Sequence, residues 1–409
     1  MSAVSPKLSI RNLDLAGKRL FLRVDFNVPL DGALVSDDTR IRETLPTIRL
    51  ALDKGASVVL ASHLGRPLVR QGGAPDPKYS TRPVADVLAA LLGRPVQTAP
   101  DCVGEEVEAR CTAMKSGDIL LLENLRFHPE EQAGDEAFAK RLARLADLYA
   151  NDAFGTCHRA DASVVALPRQ FDRPAAGLLI EREVNALGKI LNDPARPFVA
   201  ILGGAKVSDK LPVLTGLLPK VDAMLIGGAM AYTFLSAAGQ HVGDSRVEPE
   251  LCDDVTALMA SARERGVKIL LPVDHVVATG ITEADAASAR IVSGSFEAAT
   301  DGAPANIGVD IGPATRAAFA LEVSGARSIL WNGPMGVFEV DAFAAGTRAV
   351  AAAVAASSAF SVVGGGDSVA ALNDAGLGAR VSHVSTGGGA LLELLAGEPM
   401  PGLEALAPA

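Results

Sequence analysis

Residues 359–368 read Ala-Phe-Ser-Val-Val-Gly-Gly-Gly-Asp-Ser. A short apolar, β-branched run stops at three glycines. Asp367 and Ser368 follow, and an Ala-rich helical pattern begins at Val369. Strand, tight turn, helix is the repeating step of a parallel α/β sheet. Three glycines let the backbone turn sharply and come close to a ligand with no Cβ in the way. The helix N-terminus beyond them offers unpaired N–H groups and a partial positive charge, which suits a phosphate. A carboxylate at Asp367 would repel a bare phosphate, so it points to a bridging Mg²⁺. The alternative is a plain strand–helix turn with Asp367 as an N-cap.

The same step recurs along the chain. Strand-like runs stand at Leu20–Val24, Ser57–Ala61, Asp118–Leu122 and Leu148–Asn151, and again at Phe198–Leu202, Ala223–Ile226, Lys268–Leu271, Ser328–Trp331, Phe360–Val363 and Val381–Val384. Amphipathic stretches lie between them, among them Glu43–Lys54, Val84–Leu92, Asp209–Leu218, Leu251–Arg265 and Ala342–Ala356. Short strands apolar on both faces read as parallel and buried. The fold class expected is α/β, with two doubly wound parallel-sheet domains joined by a hinge helix. The hinge helix is Ile180–Leu191, stopped by Asn192-Asp193-Pro194. The domains expected are 1–178, a hinge at 179–193, 194–391, and a C-terminal segment at 392–409 that returns to the first domain. Segment 272–310 reads as a β-rich excursion, and 68–78 as a Gly/Pro-rich loop.

The totals narrow the possibilities. At ~150 residues per domain, 409 residues suit two or three domains. Residues 1–200 hold 26 Lys/Arg against 26 Asp/Glu and the rest 12 against 22, so the whole net charge of −10 falls after residue 200. An acidic total argues against general nucleic-acid binding. No apolar run reaches the ~18 residues of a membrane span. Cys102, Cys111, Cys157 and Cys252 show no metal or redox spacing. With no signal-peptide pattern at the start, the reducing cytoplasm is the compartment expected.

Ligands of open α/β sheets bind at the carboxyl ends of the strands. In the first half those ends carry Arg23-Val24-Asp25-Phe26-Asn27, then His63 and Arg66, then Arg126, then Asp152 and His158-Arg159. A lone Arg or His is usually a solvated charge, but four successive strand ends delivering them describe an anion site. In the second half the ends carry glycine instead: Gly203-Gly204 before Lys206 and Lys210, Gly227-Gly228, and Asn332-Gly333-Pro334. The two lysines, four apart, are expected on one helical face near an N-terminus. Neither a Walker A sequence nor GxGxxG after the first strand occurs.

Taken together, Arg-Val-Asp-Phe-Asn-Val-Pro at 23–29, Ser-His-Leu-Gly-Arg-Pro at 62–67, Asn-Asp-Ala-Phe-Gly-Thr at 151–156, Lys-Val-Ser-Asp-Lys at 206–210, Gly-Pro-Met-Gly-Val-Phe-Glu at 333–339 and Gly-Gly-Gly-Asp-Ser at 364–368 resemble phosphoglycerate kinases in order over essentially the whole chain. The resemblance implies two Rossmann-like domains and reversible phosphoryl transfer between ATP and the carboxylate of 3-phosphoglycerate, with Mg²⁺, in a cytoplasmic monomer with no nucleic-acid or membrane partner. It implies that Asp25, Asn27, Arg40, His63, Arg66, Arg126 and Arg159 bind the phosphoglycerate. On the second domain it implies that Gly203, Lys210, Gly227, Gly228, Gly312, Asn332, Glu339, Gly365, Gly366, Asp367 and Ser368 serve the nucleotide, with Asp367 on the metal. Arg40, Lys206 and Lys210 are the catalytic residues it implies, Arg40 and Lys206 flanking the phosphoryl group in flight.

The chemistry of the residues fits. A carboxylate nucleophile is ionised at neutral pH and needs no general base. The work is to gather anions and stabilise charge on the transferring group, with domain closure excluding water. Two positions depart from the family pattern: Asp161 stands where His is usual, and Ala229 where a third Gly is common. Asp161 is expected either to orient Arg159 or to weaken the attraction for phosphate. Ala229 is expected to narrow the adenine pocket. Two other readings compete: a dinucleotide-dependent dehydrogenase, opposed by the missing GxGxxG, and a non-catalytic phosphometabolite-binding protein, opposed by the presence of Arg40, Lys206, Lys210 and Asp367.

Overall fold

The structure, a computed structural model, describes residues 4–32, 34–67 and 76–409. Residues 68–75 of the Gly/Pro-rich stretch lie outside them.

Ser57–Ala61 and Phe198–Leu202 are buried at every position. Strands of that kind belong in the middle of a parallel sheet, where helices cover both faces. In the first half, β1 (Arg19–Arg23), β2 (Ser57–Ala61), β3 (Gln97–Thr98), β4 (Ile119–Leu121), β5 (Leu148–Asn151) and β6 (Ala175–Ala176) form one six-stranded parallel sheet. Its order is β3-β4-β2-β1-β5-β6. In the second half, β7 (Phe198–Leu202), β8 (Ala223–Ile226) and β9 (Lys268–Leu270) are followed by a separate three-stranded antiparallel sheet of β10 (Asp274–Ala278), β11 (Arg290–Ser293) and β12 (Ile307–Ile311). Then β13 (Ser328–Asn332), β14 (Phe360–Gly364) and β15 (His383–Ser385) complete a parallel sheet of order β9-β8-β7-β13-β14-β15. Each parallel order reverses beside its first strand, and that switch point is where α/β sheets hold ligands.

The strands expected from the sequence are found within a residue or two, β15 lying slightly later. The additional edge strands β3 and β6 are two residues each, too short for a periodic signal. The excursion at 272–310 is the antiparallel sheet.

The chain divides into two compact units, Met1–Asn185 with Pro399–Ala409, and Ala186–Glu398. The division falls inside the helix Leu178–Leu191. In the first unit, the core gathers Leu20, Leu22, Ile41, Ile48, Val58 and Leu60. The helix Thr39–Asp53 buries Ile41, Leu45 and Ile48, the spacing of one helical face. The C-terminal residues join this unit through Ala407 O, which accepts from Leu8 N at 2.8 Å, and Gly402 N, which donates to Cys157 O at 2.8 Å. The returning segment starts at Pro399 rather than 392, because the helix Gly389–Ala396 packs on Leu211–Leu217 in the second unit. A Cβ on Gly216 would lie 2.5 Å from Leu395 O, so a glycine sits where these helices touch.

Candidate functional site

In the first unit, the carboxyl end of β1 runs into Val24, Asp25, Phe26 and Asn27. Phe26 N donates to Ser62 Oγ at 2.9 Å, and Gly65 N donates to Asn27 Oδ1 at 2.8 Å. The loops after β1 and β2 are thus stitched together. Asp25 is buried and pairs with Arg40 from the first turn of Thr39–Asp53. After β4, Asn124 Oδ1 accepts from Arg126 N at 3.0 Å and from Leu64 N at 3.1 Å. Arg126 Nη1 donates to Gly65 O at 2.8 Å.

His63 lies among these groups, almost fully buried. Burial first, then Arg23, Arg126, Arg159 and Arg40, hold its pKa well below the usual imidazole value. It is a neutral ring inside a ring of guanidiniums. Arg126 is itself lowered, by burial and by Arg159 and Arg23, with Asp161 opposing. The residues expected for phosphoglycerate are therefore brought to one place, apart from two distinctions. Asn27 spends its carbonyl oxygen on the loop, and Arg66 is exposed on the turn after β2.

Asp161 does not take the place expected beside Arg159. Its Oδ2 lies 3.8 Å from Arg126 Nη2, and both side chains are buried. The chain turns at Ala162–Ala166, and that turn aims the carboxylate at the loop after β4 instead.

Arg23, read in the sequence as one of the strand-end residues, was not among those expected to bind the phosphoglycerate. It is fully buried, with Nε donating to Ser163 Oγ at 2.8 Å and Nη2 lying 3.3 Å from His63 Nδ1. Ser163 donates N and Oγ to the carboxylate of fully buried Glu131. Burial raises Glu131 while Arg23 lowers it. The signal was available: Arg23 ends the central strand β1 directly after Leu20, Phe21 and Leu22.

In the second unit, a cavity of about 210 Å³ is lined by Gly228, Ala229, Tyr232, Asp310, Glu339 and Asp367, among others. Ala229 stands in its wall. The helix after β14 spans Gly366–Asp374 and starts three residues before Val369. Its N-cap is Gly365 at φ +93°, a backbone state that L side chains rarely adopt. Asp367 therefore sits inside the first turn and does not cap it. Its carboxylate is exposed and makes no hydrogen bond or ion pair among the described residues. Ser368 is buried, and its Oγ accepts from Gly333 N at 2.5 Å.

Lys206 and Lys210 lie in the turn before Leu211–Leu217, not on a helical face. The carboxylate of Glu248 holds that turn open, accepting from Val207 N at 2.6 Å and from Ser208 Oγ at 2.6 Å. Lys210 Nζ donates to Asn332 Oδ1, while Asn332 Nδ2 donates to Gly364 O at 2.8 Å. Burial lowers the Lys210 pKa, and Asp209 and Asp367 oppose it. Lys206 is half-buried and has no hydrogen bond or ion pair among the described residues. Gly203, Gly227 and Gly312 lie outside the cavity wall. Their missing Cβ atoms leave room for Pro334, Met335 and Asp274 respectively. Asp274 occupies the N-terminus of the helix Pro313–Ser324, accepting from Ala314 N and Thr315 N at 2.8 Å each.

A match to the family model "Phosphoglycerate kinase" spans residues 10–398. The chain belongs to the phosphoglycerate kinase family. It is 53% identical over 408 residues to the phosphoglycerate kinase of Koribacter versatilis, covering 98% of this chain and 99% of the other. It is 54% identical over 410 residues to that of Acidobacterium capsulatum, with the same coverage. The phosphoglycerate kinase of Coxiella burnetii superposes with a TM-score of 0.87 at 40% identity, covering 98% of both chains. That of Pyrococcus horikoshii gives 0.83 at 34%, again covering 98% of both. Its reaction is that of the family, the glycolytic phosphoryl transfer between ATP and the carboxylate of 3-phosphoglycerate. The dehydrogenase reading falls with this finding.

Phosphoglycerate kinases use ATP with Mg²⁺. The exposed Asp367 carboxylate, with no hydrogen bond or ion pair among the described residues, fits such an ion. Mg²⁺ is usually held by one or two carboxylates together with substrate phosphates. Among the described residues one mixed donor cluster lies elsewhere: Asp101, Cys102 and His128 offer atoms within 4.8 Å of one another, which the cysteine spacing did not signal. His128 Nε2 and Asp101 Oδ1 are already paired there at 2.7 Å. No helix of the described residues is long and apolar enough to cross a membrane.

Proposed function

We propose a division of labour for this reaction: the first unit holds 3-phosphoglycerate and the second holds the Mg-nucleotide. The observation that carries it is the convergence of Arg23, Arg40, Arg126 and Arg159 on the neutral His63. So many guanidiniums around an uncharged, buried ring suit a ligand with both a phosphate and a carboxylate. Asp25 orients Arg40, and the Asn27 and Asn124 amides fix the loops that carry His63 and Arg126.

In the second unit, Gly365 lets the backbone present the first N–H groups of Gly366–Asp374 to a phosphate. Asn332 sets Lys210 beside that turn, and Glu339 at the cavity wall takes the ribose hydroxyls. Asp367 would hold the Mg²⁺, which would supply charge neutralisation on the nucleotide. Lys206, which has no competing partner among the described residues, meets the charge on the transferring phosphoryl group. The substrate carboxylate is already ionised, so none of these residues acts as a base. Transfer takes place in line once the two bound anions are brought together. In this reading the protein works as a cytoplasmic monomer, which sedimentation would check.

A coupled assay with ATP and 3-phosphoglycerate tests the activity, and paired binding titrations test the division. Arg159→Met should weaken 3-phosphoglycerate at least tenfold and leave ADP unchanged. Glu339→Gln should do the reverse. Either variant weakening the other substrate would sink the assignment.

A further inference from the structure

Arg126 is fixed by its Nη1, which donates to Gly65 O at 2.8 Å. Its Nε and Nη2 are buried and have no hydrogen-bond partner among the described residues. Asp161 Oδ2 is also buried and also without one. These opposite charges face each other at 3.8 Å, beyond a hydrogen bond. Buried polar groups are nearly always satisfied, and a charged pair left unbonded is a departure that calls for a reason.

The Asp161 side chain does not hold the turn that follows it. The turn Ala162–Ala166 is held by the Asp161 backbone oxygen, which accepts from Val164 N and Val165 N at 2.9 Å each. The carboxylate itself makes no capping bond to that turn. What it does is electrostatic. It opposes the accumulated positive charge of Arg126, Arg159 and Arg23.

We propose that Asp161 is a built-in counter-anion of the phosphoglycerate half-site, compensating the buried charge of Arg126 across 3.8 Å without hydrogen-bonding to it. The inference rests on the reading of this cluster as the phosphoglycerate site. Asp161 lowers the affinity for any single anion and so sets affinity and selectivity together. A lone sulfate or phosphate meets its repulsion with few compensating contacts. A ligand with two anionic ends gains enough guanidinium contacts to overcome it. Asp161 is thus a specificity-determining residue and not a catalytic one.

The test compares wild type with Asp161→Asn, which keeps the shape and removes the charge. Inorganic sulfate is titrated calorimetrically at about 0.02 M and about 0.2 M ionic strength, where screening lengths differ severalfold. The Asn variant should bind sulfate five- to tenfold tighter at low salt, with the gain shrinking at high salt. The KM for 3-phosphoglycerate should fall in the same direction, by a smaller factor than sulfate, with KM rather than kcat carrying the change. Asp161→Glu should restore the wild-type sulfate affinity. Asp161→His, with the residue usual in the family, should follow Asn in direction and gives a second variant should Asn fold poorly. Unchanged or weaker sulfate binding in both charge-removing variants overturns the proposal. The sulfate arm needs only the cationic cluster. Failure of wild type to turn over 3-phosphoglycerate would therefore sink the functional reading separately.

Discussion

Asp152, at the carboxyl end of β5, offers a stability experiment with a definite sign. Its carboxyl is fully buried, Oδ1 accepts from Leu179 N at 2.8 Å, and Oδ2 has no hydrogen-bond partner. It thus secures the first turn of the helix Leu178–Leu191 to the sheet. Burial pushes its pKa from 3.8 to about 7, with the Thr47 side chain first and then the Leu179 and Ile180 N–H groups opposing. A shift of that size corresponds to roughly 4 kcal/mol as an upper bound. The folded protein keeps this proton where the unfolded chain has lost it. The contribution to stability is therefore full below about pH 4 and is lost as pH rises through about 7. Asp152→Asn keeps the acceptor for Leu179 and never ionises. The assay is urea unfolding of parent and variant at about pH 5, 6, 7 and 8, taking the difference so that other carboxyls cancel. Near pH 5, already about one pH unit above the unfolded value of 3.8, the variant should lead by roughly 1.5 kcal/mol. By pH 8 the variant should be the more stable by up to roughly 4 kcal/mol. A difference constant across the range would refute the buried, proton-retaining carboxyl.

Lys206→Ala should lower kcat about 10²–10³-fold, the typical cost of removing one preorganised stabiliser of transition-state charge, while both substrate affinities change far less; steady-state kinetics with direct binding checks this, and an unchanged kcat removes Lys206 from that role. Asp367→Asn should cost Mg²⁺-dependent activity far more than stability, because its exposed carboxylate holds nothing in the protein; activity against Mg²⁺ concentration and a thermal melt separate the two effects. Gly365→Ala should destabilise by about 1–3 kcal/mol, since L side chains rarely adopt its φ and the new Cβ would lie 3.0 Å from Asn332 Nδ2. By displacing Asn332 it should also raise the nucleotide KM, and a normal melt with a normal KM would refute the cradle geometry.

The strands and helices were legible because burial writes itself locally. A run such as Phe198–Leu202 is apolar at every position and can only be a central strand. Glycines followed by Lys206, Lys210 or Asp367, and arginines at successive strand ends, marked both half-sites by their place in the βα step. Helix starts were less legible. A backbone turn at Gly365 moved one start to Gly366, and Glu248, some forty residues away in sequence, kept Lys206 and Lys210 off the next helix.

The sequence by itself determined the α/β class, the two parallel sheets, the family and the residue types of each half-site, since all of these rest on short-range periodicity and on motifs a few residues long. Tertiary structure alone decided what each polar side chain meets. It set Asp161 against Arg126 instead of Arg159, placed Glu131 and Ser163 behind Arg23, seated Asp274 at a helix N-terminus, and left Lys206 without a partner. Those pairings join residues tens of positions apart, brought together by sheet order and turn geometry. Their energies depend on burial at the meeting point, which no local pattern encodes.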